Sequence, residues 1–259
     1  PVRFFMPVIH DNLTAIIPYA FGAWVIVWLF ALFTELKLLS SAFKKKFDME
    51  QLNFGWLMHS FALGMGTTVG SGIAVFAPKG GFLPDLAAIM ALIMALMGTF
   101  LFIVKTISLF VGQYRREGLP GRQAMPTFLI VVPIITIYAV TYFRLGHFLY
   151  IHHDFHISKG YDWAIIVGGW SFQVWYLLFG LSVIKNYLKE HFKGEYYLSQ
   201  WGLICPFAAF GVLSSITTKM VPSLATPISV AAIISLVAGS ILFFDLLIRH
   251  NRCKKGTSN

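Results

Sequence analysis

Residues 84–111 read PDLAAIMALIMALMGTFLFIVKTISLFV, and after Asp85 the only charge in the stretch is Lys105. A helix of about 20 apolar residues crosses the hydrocarbon core of a bilayer. An irregular backbone facing lipid is excluded there, because its N–H and C=O groups would go unpaired. This stretch therefore reads as a membrane-spanning helix. Six more apolar runs flank it, near 13–40, 55–76, 125–144, 162–184, 197–217 and 224–248, so the fold class is an all-α integral membrane protein of about seven transmembrane helices. Proline and glycine punctuate the junctions, as in Pro78-Lys79-Gly80-Gly81 and Leu119-Pro120-Gly121.

Composition agrees. Of 259 residues, 57% are hydrophobic and 12% charged, whereas soluble domains carry roughly 25% charge. The chain reads as a single membrane domain over 1–259 with a basic tail at 249–259. It opens on Pro1 and shows no signal peptide, so the expectation is that it starts inside its domain and is N-terminally incomplete. Cys205 and Cys253 are the only cysteines and imply no disulfide framework.

The net charge of +9 is explained by position. Most of the 20 basic residues fall in alternate loops: Lys37 and Lys44–Lys46, then Arg115, Arg116 and Arg122, then Lys185, Lys189 and Lys193, then Arg249, Arg252, Lys254 and Lys255. The other loops hold Arg3, Lys79, Arg144, Lys159 and Lys219. Positive-rich loops face the cytoplasm, so a cell-membrane protein with a cytoplasmic C-terminus is expected, and nucleic acid is not.

The runs differ in kind. The second holds Gly64, Gly66, Thr67, Thr68, Gly70, Ser71 and Gly72; the fourth holds Pro126, Pro133, Thr136 and Thr141; the sixth holds Cys205, Pro206, Ser214, Ser215, Thr217 and Thr218. Their neighbours are bulkier: the first carries Trp24 and Trp28, the third is nearly all Leu, Ile, Met and Phe, and the fifth carries Trp170, Trp175 and Phe179. Small and hydroxylated residues suit close helix packing or a polar path, and bulky ones suit lipid. Packing alone accounts for any one helix, as in Gly66-x-x-x-Gly70. The alternation favours an inner ring lining a path and an outer ring shielding it. Prolines within the inner spans free carbonyls that only protein or cavity water satisfies. No carboxylate or histidine lies near the centre of an inner span, which favours passive anion movement over proton-driven pumping.

Other chemistries find no support. Gly64-Met65-Gly66-Thr67-Thr68-Val69-Gly70 lacks the spacing and the βαβ context of a dinucleotide loop. His147, His152, His153, Asp154 and His156 crowd one outer loop, where a wet interface is the plainer reading and zinc or copper the sharper one. No intramembrane histidine pair suits a haem, and Cys205 has no base beside it. Neither a cofactor nor a metal is expected, and no enzyme.

Leu52-Asn53-Phe54-Gly55-Trp56-Leu57, the segment Arg115 to Pro133, and Trp201-Gly202-Leu203-Ile204-Cys205-Pro206-Phe207-Ala208-Ala209-Phe210 together resemble the tellurite-resistance/dicarboxylate transporter family, which includes the plant guard-cell slow anion channels. The likeness would span nearly the whole chain, as helices four to ten of the family. Pro1-Val2-Arg3-Phe4 also echoes a motif opening the family's third helix, although too few residues follow to build that helix. The resemblance implies a ten-helix, five-hairpin bundle with odd helices around a pore, a homotrimer, and small anions such as dicarboxylates, sulfite or oxyanions as cargo. It places the family's pore-blocking phenylalanine at Cys205, so a looser gate is expected around Cys205, Pro206 and Phe207. The residues expected to line the pore are Gly64, Thr67, Thr68, Ser71, Pro133, Thr136, Ser214 and Ser215. A proton-coupled organic-acid carrier and a non-transporting subunit with a metal-binding histidine loop are the alternatives.

Overall fold

The structure, a computed structural model, describes residues 13–44, 53–115, 118–190, 192 and 196–256. Leu52 and the Pro1–Phe4 motif lie outside the described residues, as do the basic residues Arg3, Lys45, Lys46, Arg116 and Lys193. Every regular element among the described residues is helical. Seven α-helices run in order: α1 (Leu13–Lys44), α2 (Met58–Phe76), α3 (Phe82–Arg115), α4 (Val131–His153), α5 (Lys159–Glu190), α6 (Ile204–Met220) and α7 (Ala225–Gly256). Six are long and apolar enough to cross a membrane. The exception is α2, 19 residues whose apolar character is diluted by glycine, serine and threonine. The protein is a multi-pass, all-α membrane protein. Its last helix continues to Gly256, so the expected tail at 249 begins as further turns of α7.

The helices with hydroxyls and prolines share a feature not anticipated as such. Each opens through a 3₁₀ segment: Phe54–Leu57 before α2, Met125–Ile130 before α4 and Leu198–Leu203 before α6; a shorter one, Pro222–Leu224, precedes α7. Pro133 and Pro206 are each the third residue of the α-helix that follows. Proline lacks the N–H that an i→i−4 bond needs, so it sits where the tighter 3₁₀ pattern gives way to α. Asn53 starts the first of these segments, its Oδ1 accepting from Gly55 N at 2.9 Å. Gly80 (φ 81°) takes the left-handed conformation between α2 and α3, which a side chain disfavours.

Burial follows the expected alternation with one departure. In the most apolar window of each span, 61% of positions are buried on the helix containing α4, 28% on α5 and 11% on α1. The departure is α3, at 44%. Its length is not uniformly bulky: Ala87, Ala88, Ala91, Ala95 and Gly98 form a buried stripe, and Ile89, Ile93, Leu96 and Phe100 stand exposed on the opposite side. Spacings of three and four residues put each set on one helical face.

The chain forms two compact units. The first comprises residues 1–47, 59–102 and 137–162, and the second 48–58, 103–136 and 163–259. In the first, Trp24 and Trp28 of α1 donate indole N–H bonds to Gly66 O on α2 and Met90 O on α3, both at 2.9 Å. Gly66 and Gly70 make room for this packing. A Cβ at Gly66 would stand 2.6 Å from Met94 Sδ, and one at Gly70 would overlap the Trp24 ring. In the second unit, Phe54, Phe110, Phe128, Trp175, Tyr176 and Phe179 form a continuous aromatic cluster.

Candidate functional site

The first unit contains a polar seam between α2 and α4, which run parallel along it. At one end Tyr138 Oη donates to Ser60 O at 2.8 Å. Next comes Gly64, where a Cβ would lie 2.7 Å from Ile137 Cγ2 and 3.3 Å from Tyr138 Cζ, so glycine is what lets the backbones close. Further along, the Thr67 and Thr68 hydroxyls donate to Gly64 O at 2.7 and 3.0 Å, and both lie within 3.2 Å of Thr141 Oγ1. Ser71 is fully buried and donates to Thr68 O at 3.1 Å. A hydroxyl has one proton to give. On this seam Thr67, Thr68 and Ser71 spend theirs on α2's own carbonyls.

The donors that remain belong to Arg144. The sequence reading put Arg144 in an outer loop because the apolar run seemed to end there. It lies within α4, nine residues before the helix ends at His153. Its Nη1 donates to Thr68 O, midway along α2, at 2.9 Å. That bond lets a guanidinium enter the helix pair without ending the span. A guanidinium carries five N–H donors, and among the described residues Arg144 makes no ion pair. Gly72 leaves room beside it, since a Cβ there would stand 3.5 Å from Nη1.

The premise that inner spans hold no central carboxylate or histidine stands for α2, α4 and α6, yet α1 brings a carboxylate to α2. Glu35 is 7% exposed, and its Oε1 lies 3.8 Å from His59 Nδ1. A sequence signal existed. Glu35 continues the stripe Trp28, Ala31 and Leu39, residues that pack against Leu63, Met94 and Leu101. Among these apolar side chains it is the one carboxylate. Asp245 and Lys105 have local partners: Asp245 lies 3.4 Å from Arg249, and Lys105 Nζ donates to Trp56 O at 3.4 Å.

The remaining expected site residues lie in the second unit. Pro133 and Thr136 are buried. Thr136 Oγ1 donates to Ala209 O of α6 at 3.1 Å and receives a bond from Gln173 Nε2 of α5. Gln173 also donates to Val132 O at 2.7 Å, and Tyr176 Oη to Phe128 O at 3.0 Å. Thus a helix read as greasy supplies the polar groups that satisfy carbonyls around the 3₁₀ entrance of α4. Ser214 is buried and accepts from Trp170 Nε1 at 2.8 Å, while Ser215 is exposed and donates to Val212 O at 2.7 Å. In the gate region Cys205 is exposed, Pro206 buried and Phe207 half-buried. Phe207 faces α7: its carbonyl accepts from Ser235 Oγ at 2.9 Å, and a Cβ at Gly239 would lie 3.2 Å from its own Cβ.

The 3₁₀ entrances in this unit border an open cavity of about 580 Å³ lined by Asn53, Gly121, Arg122, Gln123, Ala124, Thr127 and Tyr197. Donors abound in this lining and carboxylates are absent from it. Of the histidines expected in one loop, His147, His152 and His153 lie on α4 instead, because the helix runs on to His153; there His153 pairs with Asp85 at 2.9 Å, and His152 and His147 lie against Phe148 and Phe143. Among the described residues no group of three or more His, Cys, Asp or Glu could hold a metal ion.

No protein-family model, no curated protein and no solved structure matches this chain.

Proposed function

We propose that this protein moves small anions, of the dicarboxylate, sulfite or oxyanion class, across a cell membrane, and that Arg144 on the α2–α4 seam is the group that attracts them. The observation that carries this reading is a guanidinium inside a membrane-spanning helix with no carboxylate partner among the described residues. An ionisable group at such a place is expensive unless it is paired or occupied, and a guanidinium presents planar paired donors that suit carboxylates and oxyanions. Thr67, Thr68, Ser71 and Thr141 support it by fixing the two helices, not by solvating the ion. Basic-loop bias supports a cytoplasmic C-terminus. Membership of the tellurite-resistance/dicarboxylate transporter family, with its trimeric pore and a gate near Cys205, Pro206 and Phe207, belongs to the same proposal.

Proteoliposome flux tests it. Wild-type protein should carry malate, nitrate or sulfate well above empty vesicles. Arg144→Gln should lower that flux at least tenfold, the loss of about one charge-assisted contact, and Arg144→Lys should retain part of it. Equal flux from wild type and Arg144→Gln would remove the arginine from the mechanism, and no flux with any of the three anions would overturn the transport reading.

A further inference from the structure

We infer that a cavity between the end of α4 and the start of α5 is a binding site for a primary ammonium group, recognised by Asp162, His147 and Tyr150. Such a site requires no anion movement and is independent of the transport reading above.

The cavity comes from a sharp return of the chain. α4 ends at His153, Asp154 takes the left-handed conformation (φ 53°), and Phe155 N donates to Leu149 O at 3.2 Å. Ser158 Oγ then accepts from Tyr161 N at 3.2 Å and fixes the first turn of α5, which carries Asp162. Gly146 lets this turn close on α4: a Cβ there would stand 3.0 Å from Tyr161 Cε1 and 3.3 Å from Ile157 Cδ1. The space that remains is about 150 Å³, lined by Gly146, His147, Tyr150, Ile157 and Asp162, all within the first unit. A water molecule's share of the liquid is about 30 Å³, so the space suits a group of a few heavy atoms.

Three polar side chains converge there with their bonding capacity unspent. Among the described residues Asp162 makes no hydrogen bond and no ion pair, and His147 and Tyr150 make ring contacts with Phe143 and His156 but no hydrogen bond. Asp162 and His147 are half-buried. The cations nearby are turned elsewhere: Arg144 sends Nη1 to Thr68 O on α2, and Lys159, exposed one turn before Asp162, makes no ion pair with it. A carboxylate in a concave wall draws a cation. Carboxylate, phenol oxygen and neutral imidazole nitrogen each accept a hydrogen bond, and an alkylammonium has three N–H groups to give. Zinc is the poorer occupant, because it takes three or four protein ligands and the lining offers His147 and Asp162 alone. Leu149, Tyr150 and Phe155 stand exposed at this end of the unit, as side chains at headgroup depth do. A free amine and the headgroup of phosphatidylethanolamine both bring a primary ammonium to that level.

The test uses the full chain at about pH 8, where alkylammonium ions are charged and free imidazole is neutral. In detergent, saturation-transfer NMR follows ethylammonium, with tetramethylammonium, which has no N–H, as the comparison. Ethylammonium should bind at least tenfold more tightly than tetramethylammonium, a comparison that needs no variant to fold. Asp162→Asn should weaken ethylammonium binding at least tenfold, and Tyr150→Phe, which keeps the ring and loses the acceptor, severalfold; an unchanged thermal midpoint shows that each variant is folded. In nanodiscs of mixed phosphatidylethanolamine and phosphatidylcholine, native mass spectrometry separates the two sources. Retention of phosphatidylethanolamine by wild type and its loss in Asp162→Asn assign the site to the lipid headgroup, and ethylammonium binding without such retention assigns it to a free amine. Equal ethylammonium affinity in wild type and Asp162→Asn overturns the site, as does the absence of both ethylammonium binding and phosphatidylethanolamine retention.

Discussion

The α2–α4 seam and the aromatic cluster around Phe128 solve the same packing problem in opposite ways. Around Phe128 the helices are held by bulk. The Phe54 and Phe128 rings lie 4.4 Å apart at their centroids, Phe128 and Phe179 5.6 Å, and the Trp175 and Phe179 planes are within 5° of parallel. Along the seam, Gly64 and the threonines bring backbones close enough for hydroxyls to bridge them. Bulky rings gain mainly from area and shape, and Tyr176 adds a bond to Phe128 O. The seam gains little from area and depends on every polar group finding a partner. Each arrangement admits a charge in its own way: the aromatic unit lays buried Lys105 over the Trp56 ring, whereas Arg144 lies in the unit that holds the seam and reaches a helix carbonyl.

The largest effect expected from breaking this contrast is on the aromatic side. Phe128→Ala should destabilise the protein by about 3–5 kcal/mol, because several rings lose their common partner and a cavity remains; thermal unfolding in detergent followed by tryptophan fluorescence reads this directly. Next comes overpacking in the first unit. Gly70→Leu collides with the Trp24 ring and should cost about 1–3 kcal/mol, with a blue- or red-shifted tryptophan emission marking displacement of α1. The smallest effect sharpens the contrast. Thr141→Val removes the hydroxyl shared by Thr67 and Thr68, yet their protons already go to Gly64 O. A stability loss of about 0.6 kcal/mol is expected, the size typical of interhelical hydrogen bonds in membranes. A loss several times larger would mean that Thr141 anchors the seam.

Seven helices and their approximate limits were legible in the sequence because hydrocarbon thickness imposes a length and excludes charge. The alternation of slim and bulky helices was legible too, with α3 misjudged: its Leu, Ile and Met residues dominate by size, while the buried face is made of alanines and Gly98. Site residues were harder to place. Hydroxyls draw attention as polar groups, but whether their protons face a neighbouring carbonyl or open space is decided by rotamers and by the adjacent helix. Arg144 looked like a loop residue because charge and loop usually coincide. Thr68 O, 76 residues away in sequence, supplies the partner that breaks that rule. Glu35 lay inside the run 13–40 and continues an apolar stripe there, but its burial depends on which stripe of α1 meets its neighbours.

The first helix is secured unevenly. Up to Trp28 it is fastened by two indole bonds to carbonyls that are already part of intact helices, and no water competes for such bonds in hydrocarbon. Beyond Trp28 it rests on Ala31 and Leu39, packed against Leu63, Met94 and Leu101, with Glu35 3.8 Å from His59. A helix pegged along one half by directional bonds and resting along the other on apolar contact has its rotation set at the pegs, while its far half follows whatever surface it lies on.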